Sequence, residues 1–479
     1  MDKNREIISE LQNFFSTNTI DKTVIAVLTA LGKITVRLKT IGVEKNPNCK
    51  FTIVQILKLV ILFPFFSVKN SFHYAESGLG KLFKCKKDMF YRFMNNGDID
   101  WRRILYTLVR HLLKFTQGDN AKGKQPRCMI IDDTDLPKRG KHTEGIGKVF
   151  SHTDMRSRLG FKAMFLCLTD GISQQMLDFT LQSEMGKNPD KPQGMSPKEL
   201  AARKSHTRKE NAPAETRKQE ALATKIKNAI AMLRRAILMG ISFDYLLVDS
   251  WFTCAEIVKF IHSRHIKCHF LGMAKMNNAK YKTKLGTTNA LDIIKRLCAN
   301  GNVKYSRSTG YHYAQLDATY AGIRVRLFFY RKGKSPWNAL LTTDLKLDAR
   351  KAFRLYSMRW CIEVAHKEMK QLLNLGKSQS TNFAGQIASI SVTIIQYNIL
   401  CYIKRKESYQ TIGGLFAQIS DQTTELTVAQ KIWNLILKIV SVISEVVKCD
   451  TFQLLDAIVN DNENVRKLKR AVDQMKVAA

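Results

Sequence analysis

The stretch Tyr356–Lys370, YSMRWCIEVAHKEMK, sets four polar side chains at helical spacing: Tyr356, Arg359, Glu363 and Lys370. A helical residue turns by about 100°, so the four fall within roughly a 60° arc. Met358, Trp360, Cys361, Ile362, Val364 and Met369 cover much of the remaining circumference, which predicts a buried helix. A Glu, an Arg and a Lys along one edge of a buried helix need partners, because unpaired buried charge is costly. Alone, such a ladder reads as internal salt bridges. Upstream, however, two apolar runs end in aspartate, at Asp133 in CMIIDDTD and at Asp249 in FDYLLVDS. Three carboxylates converging with a Tyr, an Arg and a Lys predict a two-metal phosphoryl-transfer site.

In CMIIDDTD successive strand side chains alternate. Met129, Ile131 and Asp133 share one face and Asp132 lies on the other. Periodicity leaves open which of the two aspartates meets the other carboxylates. Asp249 follows an unbroken apolar strand, and Glu363 is placed by the helix. Three carboxylates suit Mg²⁺ or Mn²⁺, which take oxygen ligands. Two such ions per site activate a water or a 3′-hydroxyl and stabilise the leaving oxygen, so no protein nucleophile is required. Arg359 offers a phosphate two parallel hydrogen bonds and Lys370 a point charge. His366 and Lys367 border the same face and are expected to be packing or solvated residues.

The charge balance points the same way. Lys plus Arg number 77 against 41 acidic residues, a formal net charge of +36. An excess that large favours a polyanion, nucleic acid before an anionic membrane. A hydrophobic content of 45% in 479 residues fits a folded protein of several domains. The ten cysteines are scattered, without a CxxC pair or zinc spacing, and read as reduced core thiols of a cytosolic protein. The most apolar window, Phe51–Phe66, is interrupted by Gln55, Lys58 and Pro64, and no membrane span or secretion signal is expected.

Residues 1–125 read as helical, with a break at Asn95-Asn96-Gly97 and a cap at Asp98 or Asp100. Helix, turn, helix with outward Lys and Arg suits a DNA-binding domain as well as an ordinary bundle. Residues 118–126, GDNAKGKQP, form a linker. Three strands follow in a meander, then a helix, a strand, a helix and a strand. That is the order of an RNase H-like α/β core, beginning at 126 and interrupted at 273. Between them, 186–220 is proline-rich, basic and poor in apolar residues, which predicts a mobile loop. Residues 274–346 read as a β-rich insertion with a turn at Ala321-Gly322. Residues 347–403 return to the core with Glu363, and 404–479 are helical, with an apolar stretch Trp433–Val447 that offers a dimer surface.

The spacing Tyr, two residues, Arg, three, Glu, six, Lys resembles the signature of the DDE transposases of the insertion-sequence-four family. The stretches IIDDT and LLVDSWF resemble that family's two aspartate motifs. The likeness covers about residues 125–400. It implies a bacterial insertion-sequence transposase, cytoplasmic and nucleoid-associated, that cuts and pastes its own element with two Mg²⁺ (or Mn²⁺) ions. It implies Asp133, directly before Thr134, as the first metal-binding catalytic aspartate, with Asp132 the alternative, beside Asp249 and Glu363. Tyr356, Arg359 and Lys370 would grip DNA, and Trp337 resembles a DNA-binding tryptophan of the family's insertion. The partners implied are double-stranded DNA, as terminal inverted repeats and target, and a second copy of the chain in a DNA-dependent homodimer. A metal-dependent nuclease and a DNA-binding regulator are the alternatives.

Overall fold

The structure, a computed structural model, describes residues 51–413. Within that span it leaves out 65–67, 78–79, 81–84, 117–125, 152–153, 264–265, 308–309 and 407–410, and positions 52, 69, 185, 187 and 285. The expected helix Trp433–Val447, the first fifty residues and most of the linker 118–126 lie outside the described residues.

The chain divides into two compact units, Met1–Met94 with Ile399–Ala479, and Asn95–Asn398. In the first, α1 (Ile53–Leu62) and α2 (Lys87–Met94) pack through an aromatic cluster. The Phe90 ring lies 5.1 Å from Phe63 and 4.6 Å from Tyr74. Phe90 and Phe93 sit three apart on α2 and are both buried, while Tyr91 between them is exposed. Helical periodicity alone accounts for that choice.

The second unit opens with α3 (Trp101–Thr116), whose Arg103 N–H is capped by Asp100 Oδ1 at 3.0 Å. The helix expected to present basic residues to DNA is instead part of this unit's core: Tyr106 and Val109 are buried, and Arg102 is bound to Asp178 and Glu220. The strands are β1 (Cys128–Pro137), β2 (Gly147–Ser151), β3 (Arg156–Thr169) and β4 (Gln174–Gln182). After α4 (Pro197–Ala201), α5 (Pro213–Glu220) and α6 (Lys225–Leu238) come β5 (Tyr245–Val248), α7 (Ala255–Ile261) and β6 (His269–Met273). β3 pairs antiparallel with both β1 and β4, the meander expected from sequence. β5 and β6 add in parallel on the other side of β1.

The expected β-rich insertion supplies β7 (Lys280–Thr283), β8 (Gly286–Asn289), α8 (Ala290–Ala299), β9 (Lys304–Ser306), β10 (Tyr311–Tyr320), β11 (Ile323–Lys332) and β12 (Asn338–Thr342). It is no separate sheet: β12 pairs antiparallel with β6, giving twelve strands in one mixed sheet. β10 and β11 form a hairpin whose two turn residues, Ala321 and Gly322, have φ of 52° and 86°. Positive φ at both positions is what a type I′ hairpin turn demands.

Helices cover both faces. α6 buries Ala229, Met232, Leu233 and Ala236 in one cluster with Met129, Ile131, Met164 and Leu166. The alternate strand residues face α9 (Ala349–Ser357), α10 (Trp360–Leu372) and α11 (Phe383–Lys406). There the Phe165 ring meets His366 at 5.0 Å, and the Asn398 amide bonds both the N–H and the carbonyl of Met176 at 2.7 and 2.8 Å. By length and composition the 20 residues Phe383–Tyr402 could cross a membrane, but 94% of the apolar window is buried inside the protein. Among the described residues α11 is a long apolar helix of the core.

The segment 186–220, expected to be a mobile loop, is folded. Ser196 and Glu199 form a capping box at α4, and Pro213 starts α5. What composition hid is the partner, Glu144, from the β1–β2 connection. Glu144 is 1% exposed and accepts from Arg208 at 2.9 and 2.5 Å, Lys218 at 2.9 Å and the Phe383 N–H at 3.0 Å. Burial opposes its charge, but these donors hold its carboxyl down at about 2. A second hub, Asp178, is fully buried and bound by Arg102 at 3.0 Å and Arg235 at 2.9 Å. Removing one partner of a buried ion network leaves the others uncompensated. Asp178→Ala should therefore cost on the order of 3–5 kcal/mol, seen as a lowered thermal midpoint of the full chain. A midpoint unchanged from wild type would show that the hub carries no net stability.

Candidate active site

The site forms where the pairing of β1 with β5 ends. Their parallel register pairs Cys128 with Tyr245, Met129 with Leu246 and Ile130 with Leu247. Two places on, that register sets Asp132 beside Asp249. Aligned residues of parallel strands point to the same face. That face is the one covered by α10, which brings Glu363.

The helix of the opening motif is broken into α9 and α10 at Met358 and Arg359. Both keep right-handed helical angles, φ −62°, ψ −21° and φ −56°, ψ −31°. The joint is a tightened turn, with the Arg359 N–H on the Tyr356 carbonyl at 3.0 Å and that of Ile362 on Arg359 at 3.2 Å. Direction is preserved, so Arg359, Glu363 and Lys370 stay along one edge of α10. The helix is less buried than its composition predicts: Trp360 is 63% exposed.

Arg359 is the centre of the arrangement. Its guanidinium bonds Asp132 Oδ2 at 3.2 Å and also binds the Glu363 carboxylate. Its charge also bears on Asp249. Tyr356 lies alongside, its ring centroid 5.9 Å from the guanidinium carbon. Lys370 donates to the Thr134 hydroxyl at 2.7 Å. The Asp249 carboxylate accepts the N–H groups of Trp251 at 2.9 Å and Phe252 at 3.1 Å. A cleft of about 500 Å³ opens here, lined by Asp132, Asp133, Thr134, Glu363, His366 and Lys370 among others.

The carboxylate that shares Arg359 with Glu363 is Asp132; Asp133, the residue the resemblance implies, lines the same cleft but is not bound to Arg359. The reason is alternation: Asp133 shares the strand face of Met129 and Ile131, under α6. There it pairs with Lys225 at 2.8 Å and approaches Lys162 at 4.0 Å. Lys162 is itself tied to Asp135 at 2.6 Å. Trp337 is half-buried against the core, with the Arg331 guanidinium 4.7 Å over its ring. His366, expected to be packing, is buried yet lines the cleft, and burial pushes its imidazole down to about 3. Lys225 and Trp251 went unread in the sequence. Lys225 lies in an ordinary amphipathic helix, and only its place in the first turn, where a cation opposes the helix dipole, marks it.

Burial raises the Asp132 carboxyl to about 7, with Arg359 opposing and the Asp249 charge adding to the rise. Burial also raises Asp249. Two desolvated carboxylates at one place call for a cation. Three carboxylates are the donor set of a hard divalent ion. Among the described residues no three acidic, His or Cys side chains already stand close enough to hold one. Arg359 supplies positive charge between Asp132 and Glu363.

Comparison with known proteins agrees with this chemistry. Residues 82–270 match the family model described as DDE superfamily endonuclease, and residues 217–399 match the transposase DDE domain. No curated protein matches the chain. Among solved structures it is similar to a piggyBac transposase synaptic complex with hairpin DNA, at 12% identity and a TM-score of 0.42, covering 95% of this chain and 85% of that one. The chain therefore carries a DDE-type transposase domain and is an enzyme of the DDE nuclease and transposase class. Enzymes of this superfamily use divalent metal ions.

The raised Asp132 carboxyl gives a pH signature. Its folded value of about 7 lies above the unfolded value of about 3.9. Between those two values the native state holds a proton that the unfolded chain has lost. Stability from this group is therefore complete below about pH 4 and falls as pH rises toward 7. Thermal unfolding of Asp132→Asn between pH 4.5 and 8, without metal, should show a flatter fall than wild type. Parallel curves would mean that Asp132 is ionised throughout.

Proposed function

We propose that this chain is an insertion-sequence transposase that cuts the ends of its own DNA element and joins them to a target. The observation that carries the reading is Asp132 and Glu363 held on one arginine, with Asp249 on the adjoining strand end, inside a DDE-type domain. The strand order β4-β3-β1-β5-β6, with β5 and β6 parallel to β1 and β3 antiparallel, supports an RNase H-like core. In this reading the core is interrupted by the β-rich insertion, and the flanking helical regions, N-terminal to α3 and at 404–479, bind DNA and a second copy.

Asp132, Asp249 and Glu363 would hold the divalent ions, Mg²⁺ or Mn²⁺, two per site. When bound, the ions supply an activated water or hydroxyl and charge for the leaving oxygen. The chain's own residues do the rest. Arg359 leaves the carboxylates for a phosphate of the DNA, a bidentate partner of the same charge. Lys370, anchored on Thr134, offers that strand a second positive charge, and Tyr356 keeps Arg359 oriented. In cleavage, a water oxygen bonds to phosphorus as the bond to the 3′-oxygen breaks, leaving a 3′-hydroxyl and a 5′-phosphate. In joining, that hydroxyl attacks a target phosphodiester and displaces its 3′-oxygen. Two ends require two sites, so the working species is a dimer formed on DNA. A chain of charge +36 repels its own copy until DNA neutralises it.

The test is incubation of the full chain with labelled duplexes from the DNA flanking its gene, with Mg²⁺, Mn²⁺ or chelator. End cleavage followed by joining supports the proposal. Cleavage without joining leaves a nuclease, and absence of metal-dependent cleavage overturns both. Asp132→Asn, Asp249→Asn and Glu363→Gln should each lower cleavage by at least about 100-fold, the scale of losing one preorganised electrostatic group, with end binding retained. Asp133→Asn should fall by less than about tenfold. The reverse ranking of the two aspartates would restore Asp133 as the ligand. Affinity for DNA should also drop steeply between 50 and 200 mM salt, since each neutralised phosphate contributes about −0.9 to the log–log slope. A flat response would exclude DNA as the partner.

A further inference from the structure

We infer that Lys225, seated on Trp251, is a second DNA-gripping residue of this site, on the strand face away from Arg359, and that Asp133 is its resting counter-ion. The inference rests on DNA being the substrate, as proposed above. It names a contact on the α6 side of the strand ends.

Lys225 stands in the first turn of α6, with Lys227 beside it and no acidic residue there. A cation at a helix N-terminus is opposed by the helix dipole, and anions are favoured. The position is therefore poor for helix stability and good for attracting a phosphate. Its partner Asp133 is already countered from elsewhere: Lys162 lies 4.0 Å away. Lys225 can leave without stranding a bare carboxylate.

Trp251 supplies the seat. The Lys225 ammonium lies 4.7 Å from the centre of its ring while bonding Asp133 at 2.8 Å. A cation over an indole face is held by the ring quadrupole. The Trp251 backbone is tied by its N–H to Asp249 at 2.9 Å, and its ring stands edge-on to buried Phe252 at 4.9 Å. Yet it is 46% exposed. A large aromatic held at the surface beside the carboxylates, under a lysine, leaves nearly half of itself in water. Its place is explained if Lys225 swings from Asp133 to a phosphate without leaving the ring.

The structure thus offers a DNA strand cations from both sides of the strand ends: Arg359 from α10, Lys225 from α6. Both rest on aspartates of the same strand, adjacent in sequence and opposite in direction. Contact with substrate would release both.

The experiment measures affinity of the full chain for a labelled duplex with a 3′ overhang, in chelator, across a salt series. Lys225→Ala should weaken binding about 10-fold and reduce the log–log salt slope by about one, the share of a single phosphate contact. Lys225→Arg should restore both. Trp251→Ala should weaken binding and Trp251→Phe restore it. Asp133→Asn should tighten binding two- to tenfold, and that gain should vanish in the Lys225→Ala background, the coupling expected of residues that share one contact. Additive effects of Asp133→Asn and Lys225→Ala would overturn the inference. So would a Lys225→Ala variant with the wild-type slope. If instead the wild-type chain shows no salt-dependent binding, DNA as substrate fails, and this contact falls with it.

Discussion

Carboxylates withdrawn from water need a positive charge, and the site is arranged around that need. Asp132 lies within β1, just past its pairing with β5, and Asp249 just past the end of β5, where burial pushes their carboxyls upward. Arg359 supplies that charge by holding Asp132 and Glu363 together. A guanidinium does not polarise a water as a divalent ion does, but it holds Asp132 and Glu363 together and opposes part of the rise that burial imposes on Asp132. The tight joint between α9 and α10 serves the same end, since it points Arg359 back along the helix edge toward Glu363.

The large positive charge of the chain is not all surface. Arg102, Arg208, Arg217 and Arg235 are spent inside the second unit, on Asp178, Glu144 and Glu220 or over the Phe179 ring. Net charge therefore overstates the cations available to a polyanion, and the location of each one matters more than the sum. Lys162 shows the point: it is 4% exposed and serves Asp135, Asp133 and Glu184 together.

Much of this architecture is readable from local pattern. The meander, the strand before Asp249, the hairpin at Ala321-Gly322 and the edge carrying Arg359, Glu363 and Lys370 follow from periodicity and turn chemistry. Pairing between distant segments does not. Composition marks 186–220 as unable to fold because its partner Glu144 lies outside it. The choice between Asp132 and Asp133 depends on which sheet face α10 covers, and no local period states that. The continuity of the insertion with the core sheet likewise rests on one pairing, β12 with β6, between residues about seventy positions apart.

That pairing bears on the order in which the molecule comes together. Asp132 and Arg359 are separated by 227 residues, and the insertion lies between them. Contacts between such distant segments form slowly, because the loop entropy is lost before they can repay it. Synthesis delivers the aspartate strands first, the insertion next and α10 after both. A partly made chain therefore has its two aspartates and no Glu363. The long detour thus makes Glu363 the last of these three acids to be synthesised, behind every strand of the sheet on which α10 packs.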